Sequence, residues 1–382
     1  LVDCEPEVNR SRTLYVPYMS VKQKGKSDNE SANSSMSVRT GRECFRALTT
    51  PEAVTLASGV DKVRASVPSG PKATADMVQT DESFWTIFSF RFLSGAPFTK
   101  ADCDAGLPRA VLDATTARRL FGTTDAVGRT VQLNYVDYTV AGVVADVSML
   151  ATAAYAQIWV PYTAAGAEAM SWQNDTMGPM HAIILARSSA DFDAIREETE
   201  LLRKKYNDGL QDVEVFYRGQ PDTQLAYLYR RWYAEPDVSG VMLRYAIVVI
   251  ILLLVPAINL SGMTLSRMRR RMAEIGVRKA FGATGGELMR QVFFENLVLT
   301  LLAGIVGLAL SYVATFVLNG FLFSNSMNAS LSGETALTPG MLLSPWAFIA
   351  AFAFCLLMNI LSAGIPAWRA SRMNITDAIN QR

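Results

Sequence analysis

The sequence predicts an α+β domain joined to an α-helical transmembrane bundle, and three observations carry that prediction. Of the 382 residues 50% are apolar and 19% charged, more apolar material than a single core of ordinary size absorbs. The charge is unevenly divided: ten Lys/Arg and five Asp/Glu fall in the 138 residues from Tyr245 onward, leaving 26 and 30 for residues 1–244. Three uncharged apolar runs recur in that charge-poor part, and nothing comparable precedes them.

The first part reads as mixed α and β. Arg109–Leu112 is a short apolar strand, Asp113 caps a helix over Ala114–Phe121, and Gly122 stops it. After a turn at Gly128, Val131 and Leu133 alternate with polar neighbours and Tyr138–Val147 forms a second strand, which predicts a hairpin. Phe192, Ile195, Leu202 and Tyr206 share one helical face, with Ser189 as candidate cap and Gly209 as stop, and that face is expected to pack on a sheet. Val21–Arg42, rich in Ser, Asn, Lys and Gly, reads as a mobile polar loop. Gln220–Arg244 reads as a helix continuous with the first apolar run, broken or offset near Pro236. Its Tyr227, Tyr229, Trp232 and Tyr233 are then either an interfacial aromatic belt or a stalk face that packs on a partner.

The apolar runs are long enough to cross a bilayer. No charge occurs between Arg244 and Arg267, and Tyr245–Gly262 is dense in Ile, Leu and Val. Leu297–Phe321 makes about 37 Å of helix against a hydrocarbon core of about 30 Å. Pro345–Ile365 is the third, closed by Pro366, Arg369 and Arg372. Arg267–Arg290 holds seven basic residues and Gly320–Ser344 none, so the positive-inside rule places the first in the cytoplasm and residues 1–244 outside. An outer domain without a preceding span implies a further N-terminal helix, so three spans are present and a fourth is expected.

Several chemistries are excluded. A net charge of +1 with no basic stripe argues against nucleic acid. Cys4, Cys44, Cys103 and Cys355 lack metal-ligand spacing; Cys44 and Cys103 read as reduced thiols, with a disulfide as the alternative. His181, the single histidine, reads as structural. No G-x-x-x-x-G-K-[ST] occurs, and Gly282–Glu287 has glycines without the phosphate-binding lysine, so ATP is not expected on this chain. Asp102/Asp104 and Glu197/Glu198 read as surface features, and no catalytic residue is assigned.

Arg267–Glu295 is the most informative stretch. Met272–Phe281 reads as a short helix ended by Gly282, while Thr284 and Glu287 form a capping box for the helix entering the second span. The short helix is either a connector whose basic residues meet anionic lipid or a docking surface for a protein. Gly276 favours docking: a mid-helix glycine costs about 1 kcal/mol against Ala, which suggests close backbone approach.

Ala273-Glu274-Ile275-Gly276-Val277-Arg278-Lys279-Ala280-Phe281-Gly282-Ala283 resembles the R-E-I-G-[IV]-R-[KR]-A-x-G-A coupling segment of the MacB/FtsX-type ABC transporter permease family. Pro366–Met373 is similar to that family's P-A-x-R-A-[AS]-R ending, with Thr376 where Pro is often found. Phe84–Gly95, Ala117–Gly122, Val127–Thr130 and Tyr138–Asp146 resemble its periplasmic core domain. The resemblance implies a core domain over 1–219, a stalk over 220–244 and a transmembrane domain over 245–382. Spans would lie near 245–265, 297–321 and 345–365, and a coupling helix near 272–282. It further implies a multi-pass protein of the bacterial inner membrane, with Ala273–Gly282 contacting a cytoplasmic ATPase subunit that holds ATP and Mg²⁺, this chain binding no cofactor itself. A homodimer, or a heterodimer with a similar permease, is implied, with lipid around it and room for a periplasmic partner. Two functions follow from the family. One is export or extraction of a peptide, lipoprotein or hydrophobic compound by mechanotransmission; the other is a non-transporting scaffold that activates a periplasmic cell-wall hydrolase. Ala303, Gly307 and Ser311 mark a face for close helix packing.

Overall fold

From Thr13 onward the chain is rich in strands, some buried at every position like Thr13–Val16 and some alternating like Val213–Phe216. The computed structural model describes residues 5–68, 70–231, 234–270, 277–278, 281–324 and 348–358. The chain divides into two compact units, one mainly Leu1–Val238 and one mainly Ser239–Asn319. In the first unit β1 (Thr13–Val16), β2 (Met19–Gln23) and β3 (Ala32–Ser34) lead to β4 (Ala53–Ser58), β5 (Asp61–Ser66) and β6 (Lys72–Thr80). Next come β7 (Phe92–Gly95), β8 (Arg109–Asp113), β9 (Thr130–Leu133), β10 (Val136–Val144) and β11 (Ile158–Pro161). The last are β12 (Met180–Leu185), β13 (Val213–Phe216) and the two-residue β14 (Asp222–Thr223).

Seven strands form a sheet in the order β7-β10-β8-β11-β6-β5-β9. Because β9 also pairs with β10, six of them close into a ring, with β7 beside the far half of β10. Every second residue of the ring strands enters one core: Val63 and Ala65, Ala75 and Met77, Ala110 and Leu112, Val131 and Leu133, Tyr138 and Val140, Ile158 and Val160. The helix Ala114–Phe121 adds Ala114, Ala117 and Leu120. A second core gathers the sheet β14-β1-β12-β4 and the sheet β13-β2-β3 around Leu14, Met19, Met36, Phe45, Leu56 and Ile184. The helix Phe192–Gly209 packs on it through Ile195 and Tyr206, with Phe192 and Leu202 at its margin.

A polar seam links the two cores where β4 meets the end of β6. Asp81, 1% exposed, accepts from Leu56 N–H at 3.0 Å, Thr55 Oγ1 at 2.8 Å and Ser83 N–H at 3.0 Å. Arg46 lies 3.3 Å from it and also donates to Val54 O, Ser83 Oγ and Glu82. Desolvation outweighs those partners and lifts the Asp81 pKa to about 6. Buried Glu7 is treated alike: burial raises its pKa although Arg10 and the Ala153 and Ala154 N–H groups bind it.

The predicted helix over Ala114–Phe121 is present, with the Asp113 side chain accepting from Thr116 N–H and Gly122 at φ 73°. The hairpin is present too, though its second strand runs Val136–Val144 rather than Tyr138–Val147, turning on Asn134 and Tyr135, both at positive φ. Ser188, not Ser189, is the cap: it opens a short 3₁₀ turn, Ser189–Asp191, that feeds the long helix. The stretch Val21–Arg42 is not a mobile loop; it contains most of β2, all of β3 and the helical turn Val38–Gly41, with Met36 and Val38 buried. Its polar composition hides isolated apolar anchors with remote partners: Val21 pairs with Val215, and Met36 bridges Met177 and Met180. Nor is Gln220–Arg244 one helix: it holds β14 and a short helix, Gln224–Tyr229, before a separate helix begins at Val238. Tyr227 forms no belt, because its ring stacks on Tyr15 of β1 at 4.5 Å. Cys44 and Cys103 are separate buried thiols, both pushed up to about 12 by burial. His181 sits on β12 opposite Ala57, its pKa lowered to about 4 by desolvation.

In the second unit two long helices, Val238–Arg270 and Gly285–Ser324, are accompanied by Phe348–Met358. Within the second, Leu297–Ala314 has a mean hydropathy of 2.3 and only 6% of its residues buried, and among the described residues it alone has the length and apolarity to cross a membrane. Val238–Leu252 and Phe348–Met358 are shorter apolar helices. The rest of the third predicted span lies outside the described residues. Ala303, Gly307 and Ser311 are exposed, whereas neighbouring Gly304 meets Phe352.

Candidate coupling site

The turn between the two long helices is built from glycine conformation and a reciprocal cap. Of the ten residues the sequence assigns to an ATPase contact, Val277, Arg278, Phe281 and Gly282 are described; Ala273, Glu274, Ile275, Gly276, Lys279 and Ala280 lie outside the described residues. Val277 and Arg278 are helical. Phe281 N–H donates to Val277 O at 3.1 Å and Ala283 N–H to Arg278 O at 3.0 Å. Gly282 between them stands at φ 94°, the left-handed conformation a helix needs to close on its own carbonyls in a Schellman arrangement.

The next helix starts at once. Thr284 N–H donates to Glu287 Oε2 at 3.0 Å, and Glu287 N–H donates to Thr284 Oγ1 at 3.3 Å, which is the predicted capping box. The Thr284 N–H holds the Glu287 carboxyl below its ordinary range. A line of side chains then runs from the turn onto the helix. Arg278 Nη1 donates to Gln291 Oε1 at 2.7 Å, and Gln291 Nε2 donates to Glu295 Oε1 at 3.2 Å. Sequence reading missed Gln291 and Glu295; their spacing of four residues was the available signal. Arg278, Phe281, Gly282, Ala283, Glu287 and Gln291 line a shallow depression of about 450 Å³. Phe281 stands 88% exposed beside it and Val277 49%. An exposed aromatic ring, an apolar neighbour and an oriented guanidinium thus surround the depression.

Three of the carboxylates named from the sequence have local partners. Asp102 caps Thr99 reciprocally, Asp104 pairs with Lys100 at 2.7 Å, and Glu198 accepts from the Thr49 and Thr50 N–H groups.

An α+β domain is thus followed by helices of which, among the described residues, Leu297–Ala314 is long and apolar enough to cross a membrane, and comparison with known proteins gives the family. The MacB-like periplasmic core domain matches residues 9–202, and the FtsX-like permease C-terminal domain matches residues 246–375. The chain belongs to the MacB/FtsX-type family of ABC transporter permeases, in which the FtsX-like part is a non-catalytic membrane component. It is similar to the macrolide export ATP-binding/permease protein MacB of Chromobacterium violaceum, 26% identical over 307 residues covering 80% of this chain and 43% of that protein. The MacB protein of Escherichia coli K12 is 26% identical over 314 residues, with the same two coverages. This chain thus spans less than half the length of the curated relatives it matches. Among solved structures, the extracellular domain of the ABC-type transporter YknZ of Gram-positive bacteria overlays 53% of this chain and 99% of its own at 16% identity and TM-score 0.39. The periplasmic region of MacB from Actinobacillus actinomycetemcomitans overlays 53% and 90% at 16% identity and TM-score 0.38.

Proposed function

We propose that this chain is the permease subunit of an ABC exporter in the bacterial cytoplasmic membrane, relaying the strokes of a separate cytoplasmic ATPase to its α+β domain outside. The observation that carries the reading is the exposed turn at Val277–Gln291, set between two long apolar helices on a chain that also bears a MacB-like core domain. Spans near 245–265, 297–321 and 345–365 place the basic stretch Arg267–Arg290 in the cytoplasm. There Phe281 and the segment Ala273–Gly282 dock on the ATPase, which holds ATP and Mg²⁺. The sequence itself has no phosphate-binding loop. Two such permeases, identical or similar, pair around the stroke, and the cargo is a peptide, lipoprotein or hydrophobic compound taken up outside. No channel through the bilayer is needed, because work passes along the helices.

Purification of the intact chain in mild detergent, followed by mass spectrometry of its companions, tests the reading: an ABC ATPase is expected, and a preparation free of any ATPase sinks it. Recovery of a cell-wall hydrolase in place of cargo would instead point to a signalling scaffold. Gly276→Trp and Glu274→Arg are expected to abolish stimulation of the ATPase, and unchanged stimulation in both removes the docking assignment.

A further inference from the structure

The relay proposed above requires a firm attachment where the chain leaves the α+β unit for the helix that starts at Val238. We propose that Arg230 is that attachment, a positioning residue that fixes the last segment before the helix in one register against the domain; the inference rests on the force-relay reading. Its side chain is 1% exposed and its partner Asp222 4%. The guanidinium engages the carboxylate with two nitrogens, Nε to Oδ2 and Nη2 to Oδ1, the second at 2.8 Å. The remaining donors reach backbone on both sides of the segment, Nη2 to Arg218 O at 3.1 Å and Nη1 to Ala234 O at 3.0 Å. One planar cation therefore joins residues 218, 222 and 234.

Neighbouring contacts lock the same loop. Gly219 stands at φ 77°, and the place of its absent Cβ lies 3.2 Å from Glu235 Oε1. Gln220 donates to Tyr18 O at 2.8 Å and Tyr217 O at 2.7 Å, and Arg196 donates to Pro221 O at 3.2 Å. Asp222 lies in β14 opposite Tyr15 of β1, which pairs in turn with β12. Tyr15 also carries the stacked ring of Tyr227. A displacement at Val238 thus reaches, through four residues of backbone, a clamp seated on the edge of a four-stranded sheet.

The chemistry suits a joint rather than a mere filler. Apolar contacts slide at little cost, whereas a forked pair is directional, and separating it strands a buried charge. Loss of the fork should therefore free the helix from the domain while leaving the helix and its cytoplasmic turn able to move.

The test uses the full chain in nanodiscs with its co-purified ATPase, Cys4 and Cys355 being replaced by Ser. One fluorophore is placed at Leu201→Cys, 66% exposed on the helix Phe192–Gly209, or at Met242→Cys, 38% exposed on the helix Val238–Arg270. Energy transfer to a headgroup dye is read before and after trapping with ATP and vanadate. In the unaltered chain both positions should shift. In Arg230→Gln the shift at 242 should persist and that at 201 be lost, with Arg230→Lys losing part of it. Hydrogen exchange over Thr13–Val16 and Met180–Leu185 reports whether each variant is folded, and Arg230→Lys carries the test should Arg230→Gln fail to fold. A full shift at 201 in the folded variants overturns the joint alone. Absence of any shift at both positions in the unaltered chain overturns the relay and the joint with it.

Discussion

In the α+β unit large aliphatic side chains turn inward, and in the two long helices the same residue types turn outward. Leu14, Leu56, Leu112 and Ile184 are 0% exposed, while Leu252, Leu302, Ile305 and Leu310 lie between 57% and 67%. Polar groups invert as well: Asp81, Asp222 and Glu7 are buried with partners in the first unit, whereas Leu297–Ala314 carries no charge at all. One chain thus follows two rules of burial. The difference teaches that its halves are built for different solvents, water for one and, on the proposed reading, hydrocarbon for the other.

The contrast is broken most strongly by one deletion made in both places. Leu56→Ala should cost about 2–5 kcal/mol of α+β stability, because its neighbours cannot fully collapse into the space. Leu302→Ala, at an exposed position, should leave that unit's unfolding free energy in urea within about 0.5 kcal/mol. Equal losses would show that the helices are soluble core.

Buried charge sharpens the comparison through pH. Folded Asp81 keeps its proton up to about pH 6, against an ordinary value of 3.8, so its contribution favours folding at low pH and is lost as pH rises through 6. Asp81→Asn should remove about 3 kcal/mol of that decline between pH 4 and 7, measured by urea unfolding. Asp113, also raised to about 6 chiefly by burial, should keep its own share of the slope in that variant.

Smaller effects are expected at exposed turns in each region. Thr284→Ala should lower local stability at the start of Gly285–Ser324 by about 1 kcal/mol, seen as faster amide exchange over 285–288. Tyr135→Gly should raise α+β stability by about 0.5–1 kcal/mol, since a tyrosine at φ 72° and 78% exposed holds a left-handed conformation with little burial in return. A lower midpoint would mean that the ring has contacts that matter.

What could be read from the sequence depended on how local the cause was. The helix Ala114–Phe121 was legible because Asp113 and Gly122 act within a few residues, and the capping box at Thr284–Glu287 for the same reason. Val21–Arg42 was illegible because much of its order comes from remote partners, β13 for Val21–Gln23 and Met177 and Met180 for Met36, which no local composition reveals. The aromatic residues before Val238 misled because Tyr227 is an amphipathic ring at the right place for an interface, while its actual partner, Tyr15, is remote in sequence. Between the two long helices the stop at Gly282 and the new helix start at Thr284 were readable. The reach of Arg278 to Gln291, thirteen residues on, was not.

The ring closure of β9 onto β10 has a consequence for crowding. Strands whose N–H and C=O groups are all engaged offer nothing for a stranger's backbone to copy, and within that sheet the free rim among the described residues belongs to β7, four residues ending at Gly95. Within that sheet, edge-to-edge pairing with another chain is therefore confined to β7, while the two smaller sheets keep their own edges at β14, β4, β13 and β3. On the ring itself a visitor meets side chains and loop tips such as Tyr135, 78% exposed, before it meets a free strand edge.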